Sequence, residues 1–191
     1  KIKILTILGT RPEIIRLSLI IPKIDKKFKN ILVHTGQNYD FELDKIFLKE
    51  FKLRKPNYYL AAKGSFTNQI ATIITKLEKI IRKENPKKFL VLGDTNSSIG
   101  SIVAQRLNVK VYHMEAGNRC YNKKSPEEVN RRIIDNTSDI LLPYTTGSKD
   151  NLLKEGIKKR NVIVTGNPIT EVINNFKKKI NSSKILKKLD L

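Results

Sequence analysis

Short apolar runs alternate with longer amphipathic ones along nearly the whole chain, and this alternation limits the possible folds more than any other feature. The apolar runs cover residues 2–8, 30–34, 88–92, 110–114, 139–142 and 161–165. Between and after them, residues 11–24, 41–51, 67–83, 98–107, 127–136, 146–155 and 169–179 carry helical periodicity. Runs of four to eight apolar residues without alternation fit strands buried on both faces, and helices between them build βαβ units. The expected fold is therefore α/β, a Rossmann-like doubly wound parallel sheet. A length of 191 residues suits one such domain, expected over residues 1–175. The remainder, 176–191, is Lys-rich, stops in mid-pattern and is expected to be a linker cut short.

Composition narrows the function classes. The formal charge of +20 favours nucleic acid or an anionic surface as partner. However, the excess is mostly lysine, spread over 23–29, 76–88 and 177–188, without the clustered arginine or interleaved aromatics of a base-reading surface. Solvated lysine faces are the expectation, with no nucleic-acid partner; a basic nucleic-acid-binding module is the alternative that the charge keeps open. No run approaches the roughly 20 apolar residues of a membrane span, so no membrane partner is expected. The opening Lys1-Ile-Lys-Ile-Leu-Thr-Ile-Leu-Gly9 reads as a strand, not a signal peptide, because its apolar run is short and lacks a small-residue cleavage site. Cys120, the single cysteine, permits no internal disulfide and fits a cytoplasmic location.

In an open parallel sheet, ligands bind at the carboxyl ends of the strands, and three such ends carry polar residues. Gly9-Thr10-Arg11-Pro12-Glu13 matches a capping box that opens a helix, and Arg11 and Arg16 add cations where free amides already attract anions. Asp94, after Leu90-Val-Leu-Gly93, is placed to act as a base or to hold a sugar hydroxyl, and Thr95 to Ser97 to cap the next helix. Glu115, after Val111-Tyr-His-Met114, ends a buried strand, so it needs a partner or a raised pKa; Arg119 and Arg131 are the expected partners. In Ser125-Pro126-Glu127-Glu128, the capping box claims Glu128 and leaves Glu127 to face the cleft, with Arg131 one turn on to hold it or to bind phosphate. The candidate catalytic residues are thus Asp94, Glu115 and Glu127, and the candidate substrate-binding residues Arg11, Arg16 and Arg131. A zinc site would need more soft ligands than His34, His113 and Cys120 supply at their spacing, and no metal is expected.

At these residues the chain resembles the non-hydrolysing UDP-N-acetylglucosamine 2-epimerases. The matching segments are Gly9-Thr-Arg-Pro-Glu13, Gly93-Asp-Thr95, Glu115-Ala-Gly117, Pro126-Glu-Glu128 with Asn130-Arg131, and Thr165-Gly-Asn167. Gly9 to Ser18, His34-Thr-Gly-Gln-Asn-Tyr-Asp40 and Met114-Glu-Ala-Gly-Asn-Arg-Cys120 are most similar to the branch that makes UDP-N-acetyl-L-fucosamine for surface polysaccharides. The resemblance implies the N-terminal domain of a GT-B two-domain architecture, with the UDP-gripping C-terminal domain and a catalytic histidine outside these 191 residues. It implies a UDP-sugar substrate, a homodimer at full length, no NAD or other cofactor, and inversion of carbon 2 by UDP elimination and re-addition. It also implies that the fragment is inactive alone. A GT-B glycosyltransferase half is the alternative of the same architecture, since fold does not fix chemistry.

Overall fold

A computed structural model describes residues 1–37 and 41–189, with side chains for all of these except 41–45. Asn38, Tyr39 and Asp40 of the branch-specific segment, and the last two residues of the tail, lie outside the described residues. The strands are β1 (Lys3–Leu8), β2 (Lys29–His34), β3 (Tyr58–Tyr59), β4 (Lys88–Leu92), β5 (Lys110–Met114) and β6 (Ile140–Leu142). They form one sheet in the order β3-β2-β1-β4-β5-β6, and every pairing is parallel. The helices are α1 (Arg11–Leu17), α2 (Ile20–Lys27), α3 (Phe41–Glu50), α4 (Phe66–Glu84), α5 (Ser101–Arg106), α6 (Pro126–Asn136), α7 (Thr146–Lys154), α8 (Ile169–Asn181) and α9 (Ile185–Lys188).

Two-residue alternation within β1 shows why both faces must be covered. Leu5 and Ile7 enter one core cluster with Ile73 and Leu77 of α4, Val103 of α5 and Ile134 of α6. Ile4 and Leu8 enter the other, with Ile14 and Leu17 of α1 and Ile21 of α2. Thr6, the polar residue inside this strand, is fully buried, and its hydroxyl donates to Asn30 Oδ1 at 2.8 Å. The doubly wound sheet is as expected. Because β1 lies beside β4, the chain reverses its direction of travel across the sheet between them, and a crevice opens at their carboxyl ends.

Three local expectations are corrected. The helix expected over 11–24 is two helices that break at Ser18 and Leu19, because Pro22 has no N–H to give to the Ser18 carbonyl and its ring crowds that carbonyl. The strand expected over 161–165 forms a single bridge, Val162 to Leu141, with Ile163 N donating to Leu141 O at 2.9 Å and Thr165 N to Pro143 O at 3.0 Å. It lies outside β6 with one neighbour only, and Ile163 is 52% exposed. The helix expected over 98–107 begins as a 3-10 turn, Asn96–Gly100, before α5. The edge strand β3 was not expected, since two tyrosines carry no periodicity. Helices α8 and α9 run through the stretch expected to be a linker. Among the described residues, no helix is long and apolar enough to cross a membrane.

Candidate active site

The loops after β1, β4 and β5 converge on the crevice, and each places its acidic residue by a left-handed or capped turn. Gly93 has φ +75° and Glu115 φ +67°. An added Cβ on Gly93 would stand 3.5 Å from Glu115 Oε2, so the carboxylate of one strand end lies over the turn of the next. Asp94 accepts from Arg131 Nε at 2.7 Å, and its carbonyl accepts from Asn130 Nδ2 at 2.8 Å. Asp94 and Glu127 line one open cleft of about 640 Å³ together with Gln37, Phe66, Thr95 and Val129.

Glu115 is ion-paired with Arg16 and accepts from Asn118 Nδ2 at 3.3 Å. Burial raises its pKa, Arg16 opposes this, and the nearby Asp94 charge raises it further. Glu127 sits at the start of α6, exposed, and accepts from Ser125 Oγ at 2.7 Å; that bond holds its pKa below the usual carboxylate range. The environments thus push these two carboxylates in opposite directions.

Several expected partnerships differ. Glu115 pairs with Arg16 across the crevice, not with Arg119 or Arg131. Arg131 holds Asp94 and not Glu127, while Arg119 turns away to Asp135 and Glu155. Glu128, expected in a capping box, is buried instead and ties the preceding loop to α6 by accepting from Cys120 N at 3.0 Å and Arg132 Nη2 at 2.9 Å. Thr95 does not cap the next helix, since its hydroxyl donates to Glu13 Oε1 at 2.6 Å. Arg11 is exposed on the first turn of α1 and makes no polar contact among the described residues, so the carboxylate cluster gathers Arg16 and Arg131 but not Arg11. Among the described residues, no group of three or more His, Cys, Asp or Glu is arranged to hold a metal ion.

Glu13 is a capping residue by its place in the sequence, and burial makes it more than that. Its carboxylate accepts from the amides of Gly9 and Thr10 and from Thr95, directly behind Asp94. Full burial pushes its pKa from 4.5 up to about 7, although those three donors oppose the rise. A carboxyl with a raised folded-state pKa contributes stability that is fully present below its unfolded pKa and is lost as pH rises through the folded one. Between pH 4.5 and about 7, Glu13 is therefore expected to remove roughly 3 kcal/mol of stability as pH rises. Urea unfolding of the wild type and of Glu13→Gln across this window checks it: the wild-type curve should fall relative to the variant, and parallel curves would refute the burial argument.

The model of the UDP-N-acetylglucosamine 2-epimerase family matches residues 22–190. The chain is 45% identical over 157 residues to a UDP-N-acetylglucosamine 2-epimerase homolog of Methanococcus maripaludis, covering 81% of this chain and 44% of that one. It superposes on the structure of UDP-N-acetylglucosamine 2-epimerase from Rickettsia bellii with a TM-score of 0.94 at 42% identity, covering 100% of this chain and 51% of that one. The Methanocaldococcus jannaschii UDP-GlcNAc 2-epimerase, solved in complex with UDP-GlcNAc and UDP, gives 0.92 at 37% identity, with coverage of 98% and 53%. The chain thus spans about half the length of the relatives it matches. With the family model matched over most of its length, the chain belongs to the UDP-N-acetylglucosamine 2-epimerase family.

Proposed function

We propose that the chain supplies the carboxylate-lined half of a site that inverts carbon 2 of UDP-N-acetylglucosamine, or of a closely related UDP-2-acetamido sugar, for surface-polysaccharide precursors made in the cytoplasm. The observation that carries this reading is the gathering of Asp94, Glu115 and Glu127 with Arg16 and Arg131 at the carboxyl edge of the sheet. Inversion by this route removes a proton from carbon 2 as the bond from carbon 1 to UDP breaks, giving a 2-acetamidoglycal and free UDP. UDP then re-adds to carbon 1 as a proton reaches the other face of carbon 2. The route needs proton-transfer groups on both faces of the ring and cations near the departing diphosphate, and the site offers both types of group. Residues 176–191 lead, in this reading, to a second domain that grips UDP, and the complete protein is a homodimer.

The test uses the chain both alone and grafted in place of the matching half of the Rickettsia bellii protein, which it superposes on throughout its length. In heavy water with UDP-N-acetylglucosamine, the graft is expected to put deuterium on carbon 2 and to form the 2-epimer, while the chain alone does neither. Sugar transfer to an acceptor without epimerised UDP-sugar would overturn the reaction assignment, and exchange by the chain alone would overturn its reading as half a site.

A further inference from the structure

The strand ends that carry Asp94 and Glu115 both turn through left-handed backbone, at Gly93 in the first and at Glu115 itself in the second. Glu115, a residue with a Cβ, sits in the left-handed region at φ +67°, and such residues persist at functional sites only when their surroundings over-determine them. What surrounds these ends is a buried His–Asp pair. His113 on β5 places Nε2 at 2.9 Å from the Gly93 carbonyl and Nδ1 at 2.8 Å from Asp135 Oδ1 of α6. The other oxygen, Asp135 Oδ2, accepts from Gly117 N at 3.2 Å and lies 2.8 Å from Arg119 Nη2. His113 and Asp135 are each 1% exposed, and neither lines the cleft.

A carbonyl oxygen can only accept, so Nε2 carries a proton. Burial would push the Asp135 carboxyl up, but His113 and Arg119 hold it below the ordinary range. The histidine ring and the guanidinium thus share one buried carboxylate, an arrangement that is tolerated in a protein interior only when all its members are paired.

We propose that His113 and Asp135 are positioning residues: the ring fixes the Gly93 carbonyl and hence Asp94, while Asp135 fixes the Gly117 amide and hence the turn that aims Glu115. The inference rests on the reading of Asp94 and Glu115 as catalytic groups, but its first test does not depend on sugar chemistry.

Long-range proton–nitrogen correlation spectra of the 15N-labelled chain are expected to show a proton on His113 Nε2, directed at the Gly93 carbonyl. A bare Nε2 would overturn the proposal. Asp135→Asn is then expected to shift the amide signals of Asp94 and Glu115, while those of Lys88 and Lys110, at the far ends of the same strands, stay in place. Unmoved Asp94 and Glu115 signals would also overturn it. Should this variant fail to fold, the wild-type spectrum still decides. In the active graft, the same variant is expected to lower kcat by about 10²-fold with KM nearly unchanged, as for misplacement of groups that act in the transition state. An unchanged kcat would sink the positioning role. A graft without epimerase activity but with a protonated His113 Nε2 would instead count against the reaction assignment.

Discussion

Gly117→Ala is expected to lower the melting temperature of the chain by roughly 10 °C, because the turn that carries Glu115 leaves no room for a methyl group. An added Cβ would stand 2.2 Å from the backbone oxygen of Ser148 and 2.8 Å from Leu152 Cγ, both on α7. The φ of +78° adds a second penalty, since L side chains adopt it at a cost of about 1–2 kcal/mol. Collision and conformational strain together should cost roughly 4 kcal/mol, a large part of the about 5–15 kcal/mol that holds a domain together. The turn cannot simply retreat. Gly117 N is held by Asp135, and Gly117 O accepts from Asn151 Nδ2 of α7 at 3.0 Å. Gly156→Ala separates the two penalties: its φ is +89° but nothing lies within 4 Å of the added methyl, so it should cost only about 1–2 kcal/mol. Thermal melts followed by circular dichroism check both. A Gly117→Ala melt no lower than that of Gly156→Ala would show that α7 gives way and that the turn is not held as described.

Why the fold is legible while the partnerships are not comes down to the range of the interactions. β1 reads as Lys-Ile-Leu-Thr-Ile-Leu because a strand covered on both faces needs apolar residues at every position, and that local fact needs no knowledge of the rest of the chain. The break at Pro22 is just as local, but it lies inside a helical periodicity strong enough to hide it. Strand β3, two residues long, exists only because Val33 and His34 offer an edge for Tyr58 and Tyr59 to pair with. The site divides in the same way. Asp94 and Glu115 can be found because the residue after a buried strand must face the crevice, whatever its partner. Their partners come from topology. Arg16 reaches Glu115 across 99 residues of sequence, while Arg119, four positions away, turns to Asp135 and Glu155. Glu13 escaped because a capping box already accounted for it, and its burial behind Thr95 depends on β1 and β4 being neighbours. His113 and Asp135 escaped for the same reason, since a polar residue within a strand or helix pattern declares neither its burial nor its partner.

In the graft, Asp94→Asn, Glu115→Gln and Glu127→Gln are each expected to slow carbon 2 hydrogen exchange by about 10²–10⁴-fold, the usual range for removal of a group that transfers a proton in the transition state. The three should differ in what accompanies the loss. Glu127 is exposed and bonded to Ser125, so its replacement should change stability by less than about 0.5 kcal/mol, and any lost activity is chemical. Glu115 is partly buried and paired with Arg16, so Glu115→Gln leaves the guanidinium without its counter-charge and is expected to cost some stability as well. The pKa directions also differ. Burial holds Glu115 toward its protonated form, whereas Ser125 holds Glu127 toward its ionised one. The directions make Glu127 the more acidic of the two and Glu115 the less. Epimerisation rates of the parent graft and of the three variants, measured from about pH 5 to pH 9 with thermal melts alongside, separate chemistry from folding. Retention of exchange within about threefold in any one variant would remove that carboxylate from the reaction.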